Sequence, residues 1–348
     1  MATMWQCVSP KPNEWLKGKL VGSGSFGTVH LAINKSTGGL FVVKSAHSKA
    51  GREALDKEAK MMKILNSSPY IVDCLGTEED RGNLNVFMEY MAGGSLADVA
   101  HKFGGSLDED VIRVYTREIL HGLKHIHKNG IVHCDLKCKN VLLGSSGNIK
   151  LADFGCAKRV KDLRDAASVA NFWQSIGGTP LWMAPEVLRN ERLDFAADIW
   201  SLGCTIIEMA TGRPPWAHEI SNPMIAMLRI AHGDGIPQFP AHFSKDGLDF
   251  LAKCLEREPS KRGTVEALLS HPFVSTRLSR KHGVLSPSSV LEVKNFEDTY
   301  DLECSPRNDF PSRNLFAYHD DHPKGTTMCQ LEDGAFGSSG NWITVRSS

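Results

Sequence analysis

The chain has 348 residues, 41% of them hydrophobic, so it is long enough to bury one large core or two moderate ones. Lys and Arg together number 40, as do Asp and Glu, and this zero net charge argues against nucleic acid or a membrane surface as a partner. The nine cysteines are scattered without paired spacing, and residues 1–12 lack the pattern of a signal peptide. We therefore expect reduced thiols and no membrane span, in a protein of the cytoplasm, with the nucleus as an alternative.

The first part of the chain alternates in hydrophobicity as a β-sheet does. Residues 19–32 predict a strand, a glycine turn and a second strand, and residues 40–44 predict a third strand that ends on Lys44. The turn carries the pattern G-x-G-x-x-G, formed by Gly22, Gly24 and Gly27. Dinucleotide-binding folds use this pattern to open a helix, whereas here β-branched and apolar residues follow it. A hairpin lid over phosphates is therefore favoured, with a plain glycine-rich hairpin as the alternative.

A helix is predicted over residues 52–65. Its apolar stripe at helical spacing is formed by Leu55, Ala59, Met62 and Leu65. Glu58 lies within this stripe, and an inward carboxylate is costly unless it is paired. Lys44 is the expected partner, and the pair would hold the ammonium over phosphates. The alternative is that Glu58 reaches solvent beside its lysine neighbours.

Further elements follow in chain order. Residues 84–91 predict a strand that runs into the glycine-rich residues 92–96. Residues 106–109 match a capping box and would open a helix that closes at residues 129–130. The histidines of that helix (His121, His125 and His127) are interpreted as ordinary helix residues, because no glutamate follows the first one as H-E-x-x-H requires. Residues 194–212 predict another apolar helix.

The side chains best suited to chemistry lie in residues 133–140, between apolar flanks that would hold a short loop against a core. Asp135, Lys137 and Asn140 place a carboxylate, an ammonium and an amide close together in this loop. The set suits phosphoryl transfer, in which a carboxylate orients a hydroxyl, a cation stabilises the moving phosphate and an amide oxygen binds Mg²⁺. Each residue alone has a plainer interpretation, as a turn residue, a surface lysine or a helix cap.

The loop is followed by Asp-Phe-Gly at residues 153–155 and by Ala-Pro-Glu at residues 184–186. Together with the glycine turn and Lys44, and in this order and spacing, these motifs match the protein-kinase signature set. The chain thus resembles a eukaryotic Ser/Thr protein kinase. The resemblance implies an α+β fold of two lobes, with a small antiparallel β-sheet lobe that carries one helix and a larger, mainly α-helical lobe.

The expected domain limits follow from this resemblance and from composition. The kinase domain would cover residues 15–273, with the small lobe at about 15–90 and the large lobe at about 91–273. Residues 1–14 would be an N-terminal extension. Residues 274–348 mix polar residues with isolated aromatics, so we expect a mostly disordered regulatory tail.

The resemblance also assigns a role to each site residue. The residues expected to act in catalysis are Asp135, Lys137 and Thr179, whose hydroxyl would bridge the other two. The residues expected to hold Mg²⁺ are Asn140 and Asp153. The residues expected to bind ATP are Val21, Gly22, Gly24, Gly27, Val29, Lys44, Glu58, Glu89, Met91 and Leu142, with Met88 as gatekeeper and the backbone of Glu89 and Met91 bonded to adenine.

Within the kinases, residues 178–186 look like the MAP kinase kinase kinase branch. Residues 133–140, 153–158 and 341–346 are similar to its small plant members. The implied reaction is MgATP-dependent phosphorylation of a MAP kinase kinase on an activation-loop Ser or Thr. The implied partners are MAP kinase kinases, together with regulators that would bind the tail. A pseudokinase or scaffold is the alternative, although such proteins usually lose the lysine or one of the aspartates that this chain keeps.

Two positions depart from common kinase patterns: Cys134, and Val42, where alanine is usual above adenine and valine should be tolerated. Cys134 replaces an arginine that usually pairs with an activation-loop phosphate. Either that phosphorylation is not required, or other cations such as Lys158 and Arg159 receive the phosphate. Lys139 and Ser95 stand where kinases that prefer basic substrates carry acidic residues, so we expect no strong preference for basic sequences.

Overall fold

The computed structural model describes residues 14–24, 27–46, 48–66, 68–80, 82–163, 177–217 and 222–276. Most of the predicted N-terminal extension lies outside the described residues, as do Ser168 and Ser175, two serines that the kinase resemblance offers as phosphorylation sites. The predicted tail also lies outside them beyond Thr276.

A five-stranded antiparallel sheet forms the small lobe. Its strands in sheet order are β1 (Trp15–Gly24), β2 (Gly27–Asn34), β3 (Leu40–Ala46), β5 (Asn83–Glu89) and β4 (Cys74–Asp80). Phe41 and Phe87 are buried in a small core on this sheet, and Trp15 packs edge-on against both rings. The strands predicted from alternation are present, although β5 ends at Glu89 and not at Met91.

One helix, α1 (Lys49–Leu65), packs on this sheet. It begins before the predicted start at Arg52 because Ser48 caps it, accepting a hydrogen bond from the Gly51 amide at 3.0 Å. The buried face consists of Gly51, Leu55, Glu58, Ala59, Met62 and Leu65. The predicted apolar stripe therefore faces the core, and Glu58 faces it too.

The large lobe is mainly helical. Its helices are α2 (Leu96–Lys102), α3 (Glu109–Lys128), α4 (Pro185–Leu188), α5 (Phe195–Thr211), α6 (Pro223–His232), α7 (Lys245–Cys254), α8 (Val265–Leu269) and α9 (Pro272–Ser275). A three-stranded sheet joins β6 (Gly94–Ser95), β8 (Val141–Leu143) and β9 (Ile149–Leu151), and β7 (Ile131–Val132) pairs with β10 (Lys158–Arg159). The loop of residues 133–140, here called the catalytic loop, lies between β7 and β8.

The capping box predicted for α3 is wrong. The helix begins at Glu109 after Asp108, and neither Ser106 nor Asp108 caps it with a side-chain hydrogen bond. Glu109 instead turns to α7, where it accepts hydrogen bonds from the backbone amide and hydroxyl of Ser244. A complete capping box occurs at α2, between Ser95 and Asp98.

Helix α5 runs through the centre of the large lobe, with most of its residues buried. It begins after Asp194, whose carboxylate accepts a hydrogen bond from the Ala196 amide at 2.9 Å. It ends at Gly212, whose φ of 65° is a left-handed C-cap conformation that favours glycine. The bounds match the predicted helix. Among the described helices, none combines the length and apolar character needed to cross a bilayer.

Candidate active site

The glycine turn lies against strand β3. Gly24 pairs with Gly27 across the hairpin, and Ser25 and Phe26 between them are outside the described residues. Gly27 has a φ of 151°, and a Cβ atom there would lie 2.0 Å from the carbonyl oxygen of Ser45. A side chain cannot fit at this position, so the turn can lie close to β3 only with glycine.

Lys44 meets two carboxylates from different parts of the chain. Its Nζ lies 2.7 Å from Glu58 Oε2 and 3.1 Å from Asp153 Oδ1. The Glu58 side chain is only 4% exposed, so the interpretation of a solvent-facing Glu58 is wrong. Strand β3, helix α1 and the segment after β9 thus place one ammonium between two acids.

Electrostatics favour the charged forms of Lys44 and Asp153. Burial alone would lower the pKa of Lys44, but the charges of Glu58 and Asp153 outweigh it and raise the pKa above its ordinary value. Burial would raise the pKa of Asp153, but Lys44 outweighs it and the pKa is lowered. The side chain of Asp153 is 35% exposed, so part of this carboxylate faces solvent.

Asp135 is held by three donors. Thr179 Oγ1 donates to Asp135 Oδ1 at 2.7 Å, while Lys137 Nζ and Asn140 Nδ2 each lie 2.9 Å from Oδ2. Lys137 Nζ also donates to Thr179 Oγ1. The predicted bridge by Thr179 between Asp135 and Lys137 is therefore present, and the carboxylate is fixed in one orientation.

The predicted Mg²⁺ ligands fit a hard cation in their chemistry. Asn140 Nδ2 also donates to the backbone carbonyl of Asp135. The Oδ1 atom of Asn140 makes no hydrogen bond to the described residues. Asp153 has a left-handed backbone conformation, with φ of 64° and ψ of 73°. The Ala152 amide donates to the Asn140 carbonyl at 2.9 Å and ties the two segments together. An amide oxygen and a partly exposed carboxylate are suitable ligands for Mg²⁺.

The residues expected around adenine come from both lobes. In strand register Val29 lies opposite Gly22 and Lys44, and Val42 lies opposite Met88. Val21 is exposed on β1, and Leu142 is half-buried on β8.

The backbone groups of Glu89 and Met91 make hydrogen bonds to neighbouring segments. The Glu89 amide already donates to the carbonyl of Asp73 at 3.1 Å, so this amide is engaged. Met91 accepts a bond from Gly94 at 3.2 Å, and its amide makes no backbone hydrogen bond to the described residues.

Comparison with known proteins decides the family. Residues 15–274 match the family model for the protein kinase domain. The chain belongs to the protein kinase family. It is 42% identical over 271 residues to mitogen-activated protein kinase kinase kinase 17 of Arabidopsis thaliana, covering 76% of this chain and 70% of that protein. It is 35% identical over 357 residues to mitogen-activated protein kinase kinase kinase 20 of the same plant, covering 96% of this chain and 100% of that protein.

A third relative is longer than this kinase. ANP1, a mitogen-activated protein kinase kinase kinase of Arabidopsis thaliana, is 36% identical over 360 residues, which cover 93% of this chain but 53% of ANP1. The chain thus spans about half the length of some curated relatives that it matches. The bilobal α+β fold and the class of Ser/Thr protein kinase, both predicted from the sequence, are confirmed by these matches.

No motif in the sequence indicates how the kinase holds the backbone of its catalytic loop. Asp198, which is fully buried on α5, accepts hydrogen bonds from the backbone amides of His133 and Cys134 at 2.9 and 3.0 Å. His127 Nε2 lies 2.8 Å from the same carboxylate, so this residue of α3 has a structural partner on α5. Burial opposes the charge of Asp198, but these bonds and His127 lower its pKa. Partners from distant parts of the chain leave no spacing signal.

Cys134 has a φ of 67° and its thiol donates to the Val132 carbonyl at 3.5 Å. Burial raises the pKa of this thiol well above its ordinary value, so it stays neutral. It lines a small, partly open recess beside Cys156, Lys158 and Met183. Lys158 is the one basic side chain among the described residues lining this recess.

Proposed function

We propose that the chain is an active Ser/Thr kinase that transfers the γ-phosphoryl group of MgATP to a Ser or Thr hydroxyl of a MAP kinase kinase. The observation that carries this proposal is the convergence of separate segments. β3 and α1 hold Lys44 against Asp153, while the catalytic loop and Thr179 hold Asp135. The names of the relatives support the substrate class, since they are mitogen-activated protein kinase kinase kinases.

In this proposal Asp135 orients the substrate hydroxyl and accepts its proton as the oxygen attacks phosphorus and the bond to ADP breaks. Its carboxylate is fixed by Thr179, Lys137 and Asn140, so little rearrangement is needed to reach the reactive geometry. Lys137 lies beside the transferred group and offsets its negative charge. Mg²⁺, held by Asn140 and Asp153, would supply further charge neutralisation at the phosphates.

The kinase is expected to show no strong preference for substrates with basic residues. Lys139 is exposed next to Asn140, where it would repel a substrate arginine. Ser95 is buried and its hydroxyl bonds to Asp98 at 2.7 Å in the capping box of α2. Neither position therefore supplies an acidic group for a basic substrate.

The test is an in vitro assay against a panel of kinase-dead MAP kinase kinases, with the modified residues mapped. Lys44→Met and Asp135→Asn are expected to abolish transfer while the protein stays folded. Lys60→Met is the matched control, because Lys60 lies on α1 in an exposed pair with Asp56. Full transfer by either site variant would contradict the assigned roles. Binding of MgATP by the wild-type chain without turnover would favour the scaffold alternative.

A further inference from the structure

Lys150 lies where the short strand β9 meets the small lobe, and it takes no part in the reaction described above. It is 9% exposed on β9. Its Nζ lies 2.6 Å from Glu89 Oε1 and 3.3 Å from Asp73 Oδ2. Glu89 ends the last strand of the small lobe, Asp73 immediately precedes β4, and Lys150 belongs to the large lobe. One ammonium therefore joins three elements at the junction of the lobes.

Backbone hydrogen bonds strengthen the same junction. Glu89 accepts a bond from the Asp73 amide through Oε1 at 2.7 Å and donates its own amide to the Asp73 carbonyl at 3.1 Å. Beside them, the Val72 amide donates to the Leu151 carbonyl at 3.0 Å. Residues 89–93, here called the hinge, thus begin at a residue that is joined to β9 directly by the Lys150 side chain and indirectly through the backbone bonds of residues 72–73.

The far end of the hinge is fixed to the same small sheet. The Gly93 amide donates to the Leu143 carbonyl at 2.9 Å, and Ser95 pairs with Leu142. Leu142 in turn pairs directly with Lys150 across β8 and β9. In antiparallel strands directly opposed side chains lie on the same face, so Lys150 and Leu142 are neighbours. The segment between Glu89 and Gly93 is therefore anchored at both ends.

We propose that Lys150 is a positioning residue that sets the hinge backbone for the nucleotide base. This inference rests on the proposed function, in which the backbone of Glu89 and Met91 bonds adenine. Without the ammonium, the Glu89 carboxylate loses its cation and the carbonyl of Glu89 loses its fixed direction. Recognition of the base weakens, while the phosphate-side groups keep their geometry.

A merely structural role would have different consequences. An exposed ion pair contributes little to stability. Here the lysine and glutamate side chains are only 11% and 25% exposed, so this pair could contribute to stability. If the pair served stability alone, its loss would lower the melting temperature and affect all nucleotides equally. A positioning role predicts instead that the base decides the size of the effect.

The experiment is isothermal titration of the full chain with MgATP and with MgGTP. Lys150→Met is expected to weaken ATP binding about tenfold and GTP binding about twofold or less, and Lys150→Arg to restore most of the ATP affinity. Glu89→Gln, which removes the other charge, is expected to weaken ATP binding in the same selective way. Lys253→Met is the matched control, since Lys253 forms an exposed pair with Asp249 on α7.

Steady-state kinetics supply a second measurement. In Lys150→Met the KM for ATP should rise while kcat at saturating ATP stays within about twofold of wild type. Equal weakening of ATP and GTP, unchanged ATP affinity, or no recovery by Lys150→Arg would each overturn the proposal. If Lys150→Met does not fold, Glu89→Gln and Lys150→Arg decide it. Because titration needs no turnover, failure of phosphotransfer leaves this test intact; a wild-type chain that binds neither nucleotide overturns both proposals.

Discussion

Replacing Glu58 by glutamine tests whether the buried acid on α1 holds Lys44 in place. The variant keeps the shape of the side chain but removes its charge. Removing one partner of a buried ion pair costs about 3 to 5 kcal/mol. Lys44 retains Asp153 at 3.1 Å, on a side chain that is 35% exposed. We therefore expect a smaller loss, of about 2 to 3 kcal/mol in the free energy of unfolding, since the second acid still compensates part of the charge.

Urea unfolding, monitored by circular dichroism, measures the loss in the free energy of unfolding. A phosphotransfer assay measures the effect on kcat/KM. With Glu58→Gln the ammonium shifts towards Asp153, and kcat/KM should fall about 100-fold, as is typical when one preorganised charge is displaced. The matched control is Asp56→Asn on the same helix, whose pair with Lys60 is largely exposed. It should cost about 0.5 kcal/mol or less and leave kcat/KM unchanged. A Glu58→Gln chain as stable and as active as wild type would refute the reasoning.

Three further predictions concern other parts of the site. Thr179→Val should lower kcat about 10- to 100-fold, because it removes a hydrogen bond to a charged group. Thr179→Ser keeps the hydroxyl and should keep most of the wild-type kcat. An equal loss of kcat in both variants would contradict a role for the hydroxyl that bridges Asp135 and Lys137. Asp198→Asn should destabilise the chain at pH 7. The pKa of Asp198 is lowered, so its contribution to the free energy of unfolding is present above about pH 4 and is lost as the pH falls through the folded-state pKa. In urea unfolding, the stabilities of the wild type and of Asp198→Asn should therefore converge at acid pH. Burial raises the pKa of Cys156 to about 12. Alkylation by iodoacetamide at pH 8, followed by mass spectrometry, should therefore be about 1000-fold slower in the native chain than in urea.

Much of the fold could be predicted because its signals are local. Alternation in residues 19–44 predicts strands, and the stripe of α1 predicts which face is buried, including the inward Glu58. Gly212 ends α5 as a left-handed cap, which the sequence places directly after the last apolar residues. The pairing of Lys44 with Glu58 follows because a buried carboxylate needs a cation and the motif order supplies one.

Where two segments carry equivalent local signals, tertiary contacts decide between them. Ser95 with Asp98 and Ser106 with Glu109 both resemble capping boxes, and the structure forms only the first. Glu109 is drawn away by Ser244, which lies far along the chain. Local chemistry alone cannot rank the two, because the competing partner is not within a helical turn of either.

Long-range polar contacts are the second class that sequence reasoning misses. Asp198 reads as one polar residue in an apolar helix, and Lys150 as one charged residue in a short strand. Their partners lie on other elements, at separations that no motif describes. Both are buried, and a buried charge needs a partner, so burial rather than spacing is the signal that would have found them.

Cys134 shows how the departure from the common kinase pattern can be accommodated. The catalytic loop is held through its backbone, because Asp198 binds the amides of His133 and Cys134 whatever side chain stands at position 134. The Cys134 thiol is neutral and bonds a carbonyl, so it cannot receive a phosphate. A phosphate entering the adjoining recess would meet Lys158 as its cation there. The backbone of the loop is therefore held by Asp198 without a cationic side chain at position 134.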